Sequence, residues 1–241
     1  MRVVVCLPTY DERENLEPMA RALGEIADEH RLDLAVLVID DASPDGTGEL
    51  ADRLAAELPF LSVLHRPQKQ GLGPAYIAGF QRALEGDADL IVEMDCDFSH
   101  SPADLPRLVA GAQDADVVLG SRYVEGGGTR NWGAGRRAVS RFGSFYARML
   151  LGVGVHDLTG GFKCFRRVVL ETIGLDRIST KGYAFQIETT YRAIRAGYRV
   201  VEVPIVFSER EAGGSKMSRG IVLEAMTKVP ELRLRAILGR L

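Results

Sequence analysis

The sequence predicts an α/β domain with a mostly parallel β-sheet and helices on both faces of that sheet. Short β-branched runs alternate with segments in which apolar residues recur at helical spacing, an order typical of parallel sheets. Polar clusters follow several of these runs. The chain has 241 residues, of which 46% are hydrophobic and 26% charged, an ordinary globular composition. This length favours a single domain, and we expect it to carry an amphipathic helix at its C-terminus.

Strand and helix alternate regularly in the first half of the chain. The patterns predict strands at 3–7, 35–39, 61–64, 90–94 and 116–119. They predict helices around 16–26 and 50–58, and at 73–84 and 102–112.

The second half of the chain is less regular. Helices are predicted at 137–151, 183–196 and 221–241, a strand at 198–207, and loops at 126–133 and 211–218. The Gly-rich loop at 126–133 is too long for a simple connector, which indicates a functional segment. We expect residues 1–218 to form the main domain and residues 219–241 a helical extension.

Composition and charge exclude several classes of protein. Lys and Arg total 30 and Asp and Glu total 33, so the net charge of −3 does not indicate nucleic-acid binding. No run approaches the roughly 18–20 apolar residues of a membrane span. Three cysteines without metal-ligand spacing favour a reducing, cytoplasmic location. No Gly-rich phosphate loop follows the first strand, which disfavours dinucleotide dehydrogenases and P-loop NTPases.

Polar clusters follow four of the predicted strands, where each strand ends. They lie at 8–12, 40–46, 95–97 and 120–123. Because the carboxyl ends of parallel strands meet at one edge of a sheet, we expect these clusters to form a shared ligand site. Capping of the following helices is the alternative, since Asp and Ser commonly cap helices.

Asp95 and Asp97 are the candidate metal ligands. Residues i and i+2 of a strand point to the same side, so both carboxylates can face one ion. Carboxylate oxygens suit Mg²⁺ or Mn²⁺, with a diphosphate and water completing the coordination. An Asp-x-Asp pair is common by chance. Its position after an apolar strand and before Ser99-His100-Ser101-Pro102 favours the metal site.

Several stretches of the sequence resemble a known family. The stretches that carry the resemblance are 8–16, 40–47, 69–73, 94–102, 120–123, 157–162, 182–188 and 208–216. Together they resemble family 2 glycosyltransferases of the Rossmann-like GT-A fold, and within that family the polyprenol-phosphate (dolichol-phosphate) mannosyltransferases. Three features depart from the pattern. Asp11 stands where Asn is usual, Gly160 stands where Ser is common, and the membrane-spanning helices of many relatives are absent.

The resemblance implies roles for individual residues. It places the nucleotide sugar near seven residues, namely Pro8, Tyr10, Glu12, Asp40, Asp41, Lys69 and Lys216. Asp95 and Asp97 would hold the metal, while Arg210 and Lys216 would clamp the donor diphosphate. Gln186 and Glu188 would orient the sugar.

The remaining roles concern the acceptor and two ambiguous side chains. The resemblance assigns Arg122, Arg136 and Ser140 to an acceptor phosphate, and positions 136 and 140 share a face if this segment is helical. His100 suits either a metal ligand or a structural hydrogen bond. Trp132 suits either a membrane contact or a loop anchor.

The function implied is transfer of mannose from GDP-mannose to a polyprenyl monophosphate, with inversion at the anomeric carbon. A phosphomonoester is largely ionised at neutral pH, so we expect catalysis by positioning and charge neutralisation rather than by a strong base. A UDP-sugar such as UDP-glucose is the alternative donor. A non-catalytic sugar-nucleotide-binding module and a sugar-phosphate nucleotidyltransferase are less favoured.

A lipid acceptor requires access to a membrane, and the C-terminal segment is the candidate for it. It combines apolar residues (Ile221, Met226, Val229, Leu232, Ile237 and Leu241) with basic ones (Lys228, Arg233, Arg235 and Arg240). This pattern suits a helix at the membrane surface, docking on a membrane-anchoring partner protein, or packing on the protein's own core. We therefore expect a peripheral protein at the cytoplasmic face of a membrane.

Overall fold

Seven strands form the central sheet in a computed structural model that describes residues 1–178, 180, 182–209, 219–239 and 241. The strands of the described chain are β1 (Arg2–Thr9), β2 (Asp33–Asp40), β3 (Leu61–His65), β4 (Leu90–Glu93), β5 (Val117–Ser121), β6 (Gly128–Arg130), β7 (Lys163–Arg166), β8 (Val200–Pro204) and β9 (Val206–Ser208). The order in the central sheet is β3-β2-β1-β4-β7-β5-β8. Only β7 runs antiparallel to its neighbours, which confirms the predicted, mostly parallel α/β sheet.

Helices cover both faces of the sheet. They are α1 (Arg13–His30), α2 (Thr47–Glu57), α3 (Leu72–Leu84), α4 (Leu105–Gly111), α5 (Ala134–Leu151), α6 (Arg167–Thr172), α7 (Gly182–Arg195) and α8 (Arg219–Ile237). Short 3-10 turns lie at Pro102–Asp104 and Leu175–Arg177. The predicted helix at 102–112 therefore begins as a 3-10 turn, with Pro102 in its first position.

The alternation of β1 divides the core into two halves. Val3, Val5 and Leu7 face α1, α2 and α4, while Val4 and Cys6 face α3 and α7. Both faces are apolar because a parallel strand in the middle of such a sheet is buried on both sides. This explains why β1 reads as a continuous apolar run.

The C-terminal helix α8 packs against α5 and α7. Val229, Leu232 and Ala236 are buried in the same core cluster as the sheet residues. Of the three alternatives that the sequence left open for residues 219–241, packing on the core therefore holds for these positions. None of the helices in the described chain is long and apolar enough to cross a membrane.

Two predictions for the second half of the chain were wrong in detail. The single strand expected at 198–207 is two strands, because the chain leaves the central sheet at Ile205 and continues as β9. The loop expected at 126–133 contains β6, which pairs with β9 in a separate two-stranded sheet. Strand β7 and helix α6 were not predicted.

Candidate active site

The carboxyl ends of β1 and β4 lie side by side where the strand order changes direction. From β1 the chain continues to β2 and β3 on one side, and β4 lies on the other side of β1. In open α/β sheets such a point is the usual ligand-binding position. Glu12 follows β1, while Asp95 and Asp97 follow β4, so the sheet brings these predicted residues together.

The loops after β1 and β2 are joined by hydrogen bonds. The Asp11 amide donates to Ser43 Oγ at 3.2 Å, and the Glu12 amide donates to Thr47 Oγ1 at 3.1 Å. Pro8 lies within β1, opposite Ile39 of β2. The clusters at 8–12 and 40–46 are therefore one structural unit rather than two separate helix caps.

Backbone strain is concentrated at this edge of the sheet. Asp11, Ala42 and Phe98 have positive φ angles of 56°, 54° and 58°, and they follow β1, β2 and β4, respectively. Such angles are uncommon outside glycine and persist where the surroundings impose them, often at functional sites. Asp tolerates this conformation almost as Asn does, which explains why Asp11 can stand at a position where Asn is usual.

Asp40 and Asp41 have different partners. Asp40 is buried and accepts hydrogen bonds from Ser43 Oγ at 2.6 Å and Thr9 Oγ1 at 3.3 Å. Asp41 forms a partly buried ion pair with Arg66, which follows β3. Burial raises the pKa of Asp41 although Arg66 opposes this shift. Asp40 thus stabilises the loop after β2, and Asp41 and Arg66 form an ion pair beside that loop.

Tyr10 and Lys69 are in direct contact. The Lys69 ammonium lies 3.5 Å from the centroid of the Tyr10 ring, at cation–π distance. The two residues were predicted to share the nucleotide-sugar site from distant parts of the sequence. The fold places them together.

Carboxylates converge around Cys96. Asp97 is buried and Asp95 is partly exposed. The pKa of the buried Cys96 thiol is raised well above its usual range, first by burial and then by the negative charges of Glu12, Asp97 and Asp95. Carboxylates from the ends of β1 and β4 thus act on one small region.

Tyr76 and His100 fix the position of the Asp95 segment. The Tyr76 hydroxyl donates to Asp95 Oδ1 at 3.3 Å, and the Asp95 amide donates to His100 Nδ1 at 3.1 Å. His100 is buried and stacks on Phe162 with ring centroids 5.0 Å apart. Because its Nδ1 accepts the Asp95 amide proton, His100 has the structural role that the sequence left open as one alternative.

Arg122 forms a two-point ion pair with Asp157 below the β5 end. Its Nε donates to Asp157 Oδ2 at 2.7 Å, and its Nη2 donates to Oδ1 at 2.6 Å. Burial would raise the pKa of Asp157, but the charge and hydrogen bonds of Arg122 bring it below its usual range. Arg122 was predicted to bind an acceptor phosphate, yet here its guanidinium is engaged by an internal acid.

The other two predicted acceptor residues lie at the start of α5. Arg136 stacks on Trp132, with its guanidinium carbon 4.2 Å from the ring centroid, and it pairs with Glu209 at 2.8 Å. Ser140 Oγ accepts a hydrogen bond from the Tyr123 hydroxyl at 2.6 Å. Trp132 is buried, so it acts as a loop anchor, the second of its two predicted roles.

Gln186 lies beside the metal-motif loop. A Cβ atom at Gly161 would be 3.3 Å from Gln186 Nε2 and 3.7 Å from a His100 ring carbon. Buried Lys163 donates to the Gln186 carbonyl at 2.9 Å, and its Nζ is 3.8 Å from Glu93 Oε2. Burial raises the pKa of Glu93 to about 7 and lowers that of Lys163 to about 8, while mutual attraction opposes both shifts.

Glu188 is in a different environment from the other predicted residues. Its Oε2 accepts a hydrogen bond from Thr180 at 2.7 Å, and its Oε1 accepts one from Arg192 Nε at 2.8 Å. All three residues are buried, so this carboxylate ties α7 to the preceding segment. Arg210 and Lys216, the predicted diphosphate clamp, lie outside the described residues.

Comparison with known proteins identifies the family. The family model for glycosyl transferase family 2 matches residues 4–174. The chain belongs to glycosyl transferase family 2. The resemblance seen in the motifs is thereby confirmed.

Two relatives are similar over nearly the whole chain. Undecaprenyl-phosphate mannosyltransferase of Micrococcus luteus is 51% identical over 98% of this chain and 96% of its own. Polyprenol monophosphomannose synthase of Mycolicibacterium smegmatis is 48% identical over 99% of this chain and 89% of its own.

Two solved structures share the fold of this glycosyltransferase. Glucosyl-3-phosphoglycerate synthase of Mycobacterium tuberculosis, in complex with Mn²⁺, UDP-glucose and phosphoglyceric acid, has a TM-score of 0.69 at 18% identity. That match covers 95% of this chain and 79% of the other. A mannosyltransferase of Pyrobaculum calidifontis, in complex with GDP-Man and Mn²⁺, has a TM-score of 0.59 at 18% identity, with coverage of 99% and 74%.

Three residues that contact predicted site residues were not themselves predicted. They are Arg66, Tyr76 and Asp157. Asp157 lies in a stretch that the resemblance used, so that stretch was the available signal. Tyr76 lies within the helix predicted at 73–84, and nothing in the sequence links it to Asp95.

Proposed function

We propose that this glycosyltransferase transfers mannose from GDP-mannose to a polyprenyl monophosphate, with inversion, and forms polyprenyl-phosphate mannose. The observation that carries the proposal is the pair of relatives at 51% and 48% identity over almost the full chain. Both relatives are named for the transfer of mannose to a polyprenyl phosphate. The described site supplies groups suited to each part of this reaction.

The donor nucleotide is proposed to bind beside the joined loops after β1 and β2. Pro8, Tyr10 and Glu12 lie on one loop, and Asp40 and Asp41 lie on the other. Carboxylates accept hydrogen bonds from base N–H and ribose hydroxyl groups. Because the Lys69 ammonium lies against the Tyr10 ring, a nucleotide that binds here contacts an aromatic side chain and a positive charge at the same place.

A divalent cation, Mg²⁺ or Mn²⁺, is proposed to bind at Asp95 and Asp97. No cluster of three or more His, Cys, Asp or Glu suited to a metal occurs in the described part of the chain. Two carboxylates fit an ion whose remaining ligands come from a substrate diphosphate and water. When bound, such an ion neutralises the charge of the leaving nucleoside diphosphate. Arg210 and Lys216 are proposed to contact the same diphosphate.

The acceptor phosphate is proposed to bind at Arg136 and Ser140. Arg136 can exchange its pairing with Glu209, a partly exposed carboxylate, for a phosphate that carries nearly two negative charges. Arg122 contributes indirectly in this proposal. Its pairing with Asp157 fixes the segment that carries Tyr123, whose hydroxyl orients Ser140.

Catalysis in this proposal relies on alignment and charge. The phosphate oxygen attacks the anomeric carbon, and the bond to the nucleoside diphosphate breaks. The attacking oxygen is already ionised at neutral pH, so no strong base is required. Gln186 is proposed to orient the sugar from beside Gly161, while Glu188 supports α7 through Thr180 and Arg192.

We also propose roles for the two parts of the chain and a cellular location for the protein. Residues 1–218 carry the catalytic site, and residues 219–241 complete the core beside α5 and α7. The lipid acceptor requires the protein to work as a peripheral protein at the cytoplasmic face of a membrane. Attachment through an anchoring partner protein is the alternative to direct contact.

The test is a transfer assay with the purified full chain. The protein is incubated with Mg²⁺ or Mn²⁺, a short polyprenyl phosphate and labelled GDP-mannose, UDP-glucose or other nucleotide sugars, and the lipid is then extracted. We expect label in the lipid from GDP-mannose only. Label from UDP-glucose alone would show that the donor is UDP-glucose and not GDP-mannose. Metal-dependent nucleotide binding without transfer to any acceptor would indicate a binding module.

A matched pair of variants tests the metal site in the same assay. Asp97→Asn keeps the side-chain shape but removes a charge at the motif, so we expect transfer to fall by roughly 100-fold or more. Asp114→Asn makes the same chemical change on the exposed surface and is expected to be active. An Asp97→Asn enzyme with normal turnover and metal dependence would contradict the assignment.

A further inference from the structure

The outer face of α5 is apolar and exposed. Phe142, Phe145 and Met149 are 61%, 58% and 65% exposed, and Val139 is also exposed. Spacings of three and four residues place these side chains on one face of the helix. The opposite face is buried through Ser144, Ala147 and Leu151. Large aromatic residues in such a row are unusual on a surface in contact with water.

The charge of α5 is entirely positive. The helix contains Arg136, Arg137, Arg141 and Arg148 and no acidic residue. Basic residues beside an exposed apolar row are typical of helices that lie in the headgroup region of anionic membranes. An excess of positive charge complements the negative potential of an anionic lipid surface, so together with the apolar row the charge favours such a surface as the occupant.

Helix α8 extends the apolar surface next to α5. The Tyr146 hydroxyl donates to the Met226 carbonyl at 3.0 Å, and Arg233 donates to the Leu151 carbonyl at 3.2 Å, so the two helices are joined. At the C-terminal end of α8 and directly after it, three large apolar side chains are exposed, namely Leu234, Ile237 and Leu238. The buried side chains Val229 and Leu232 attach α8 to the core, which leaves α5 as the more prominent apolar face.

We propose that the outer face of α5 is the membrane-docking surface of this protein, and that it binds the surface of an anionic bilayer directly. Phe142, Phe145 and Met149 enter the boundary between headgroups and acyl chains, and the neighbouring arginines pair with lipid phosphates. This inference rests on the proposed function, because the lipid acceptor is the reason for the protein to bind a membrane. Arg136 and Ser140 lie on the first turns of the same helix, so a lipid phosphate at the membrane surface reaches them without leaving the bilayer.

The experiment measures binding to vesicles without any substrate. The full chain is mixed with vesicles of neutral phosphatidylcholine, or of phosphatidylcholine with a third of phosphatidylglycerol, and bound protein is separated by flotation. We expect binding to the anionic vesicles that weakens with added NaCl, because surface charges are screened. Phe142→Gln with Phe145→Gln should weaken it by roughly 10-fold or more, since two large apolar groups no longer enter the lipid.

Val168→Gln is the matched control. It makes a similar apolar-to-polar change at an exposed position of α6, away from α5, and should leave vesicle binding unchanged. Equal binding of the wild type and the double variant, or no binding to vesicles of either composition, would overturn the proposal. Self-association of the wild type that the double variant abolishes, without vesicle binding, would show instead that a second copy covers this face.

A separate readout distinguishes this inference from the proposed function. Transfer of mannose to a short, water-soluble isoprenyl phosphate does not require a membrane. The double variant should retain this transfer and lose transfer to a long polyprenyl phosphate embedded in vesicles. Loss of both activities in a folded double variant would contradict the docking role, whereas a wild-type protein that binds vesicles but transfers nothing would contradict only the proposed function.

Discussion

The carboxylate of Asp157 binds Arg122 at three points. It accepts hydrogen bonds from Nε at 2.7 Å, from Nη2 at 2.6 Å and from the backbone amide of Arg122 at 2.9 Å. Both side chains are buried. This ion pair determines how the chain leaves β5, because it fixes the residue that precedes Tyr123.

We predict that Asp157→Asn destabilises the fold by about 3–5 kcal/mol, because it leaves the Arg122 charge buried without its partner. Urea unfolding measures this free energy. Glu17→Gln, which breaks the exposed pair between Glu17 and Arg21, should cost less than about 1 kcal/mol. Equal losses in the two variants would show that the buried pair is no more important than a surface pair.

The same pair gives a pH dependence of known sign. The pKa of Asp157 in the folded protein is lower than its ordinary value of 3.8, so folding favours the ionised form. This stability is present above the ordinary value and is lost as the pH falls through the folded value. The wild type should therefore lose more stability than Asp157→Asn on acidification in that range.

Glu93 should show the opposite dependence. Its pKa in the folded protein is raised from 4.5 to about 7, mainly by burial, so the folded protein retains a proton that the unfolded chain has released. The unfolding free energy of the wild type should fall as the pH rises from about 4.5 to about 7, relative to Glu93→Gln. Parallel pH profiles of the two proteins would contradict the raised pKa.

Tyr76→Phe tests whether the Tyr76 hydroxyl positions the metal motif. The substitution preserves the buried ring but removes the hydrogen bond to Asp95 Oδ1. Partners that orient metal ligands typically contribute 10-fold to 100-fold in affinity, and we expect about 10-fold weaker Mn²⁺ binding in the presence of GDP. Tyr198→Phe, which removes a hydroxyl bonded to Thr172, is the control. Unchanged Mn²⁺ affinity in Tyr76→Phe would show that the Tyr76 hydroxyl does not position the metal motif.

Two helical glycines should respond oppositely to alanine. A Cβ atom at Gly79 of α3 would lie 2.8 Å from Ile39 Cδ1 and 3.3 Å from Cys6 Sγ, so Gly79→Ala should cost about 1–3 kcal/mol. Gly143 of α5 has no such neighbour within 4 Å. Gly143→Ala should stabilise the protein by about 0.5–1 kcal/mol through helix propensity. Chemical denaturation measures both, and a loss in each would contradict the close packing assigned to Gly79.

Local pattern was sufficient for the regular part of the fold. Strands β1 to β5 and helices α1 to α4 were predicted near their observed positions, because period and apolar runs report burial directly. Strand β7 was missed for a physical reason. It has only four residues and begins with Lys163, a charge whose burial is possible only because Glu93 and Gln186 face it from other elements.

The residue types of the site were also visible in the sequence, but their tasks were not. Asp95, Asp97 and Glu12 were predicted to meet, and the adjacent ends of β1 and β4 bring them together. Arg122 and Glu188 were predicted from the same kind of evidence, yet each is engaged by an internal partner, Asp157 and Arg192, respectively. A sequence shows that a charged side chain exists but not which opposite charge the fold places beside it.

The amino-acid sequence by itself determined the α/β class, the sheet edge at which the predicted site residues gather and the family of the enzyme, because these follow from periodicity and from motifs that are local in the chain. Only the tertiary structure decided which helix face meets solvent. The sequence left membrane contact, docking on a partner and packing on the core open for residues 219–241, whereas the structure buries Val229 and Leu232 there and exposes Phe142 and Phe145 of α5. An amphipathic helix has one apolar face whatever its environment, and the neighbours against which it packs determine whether that face is core or surface.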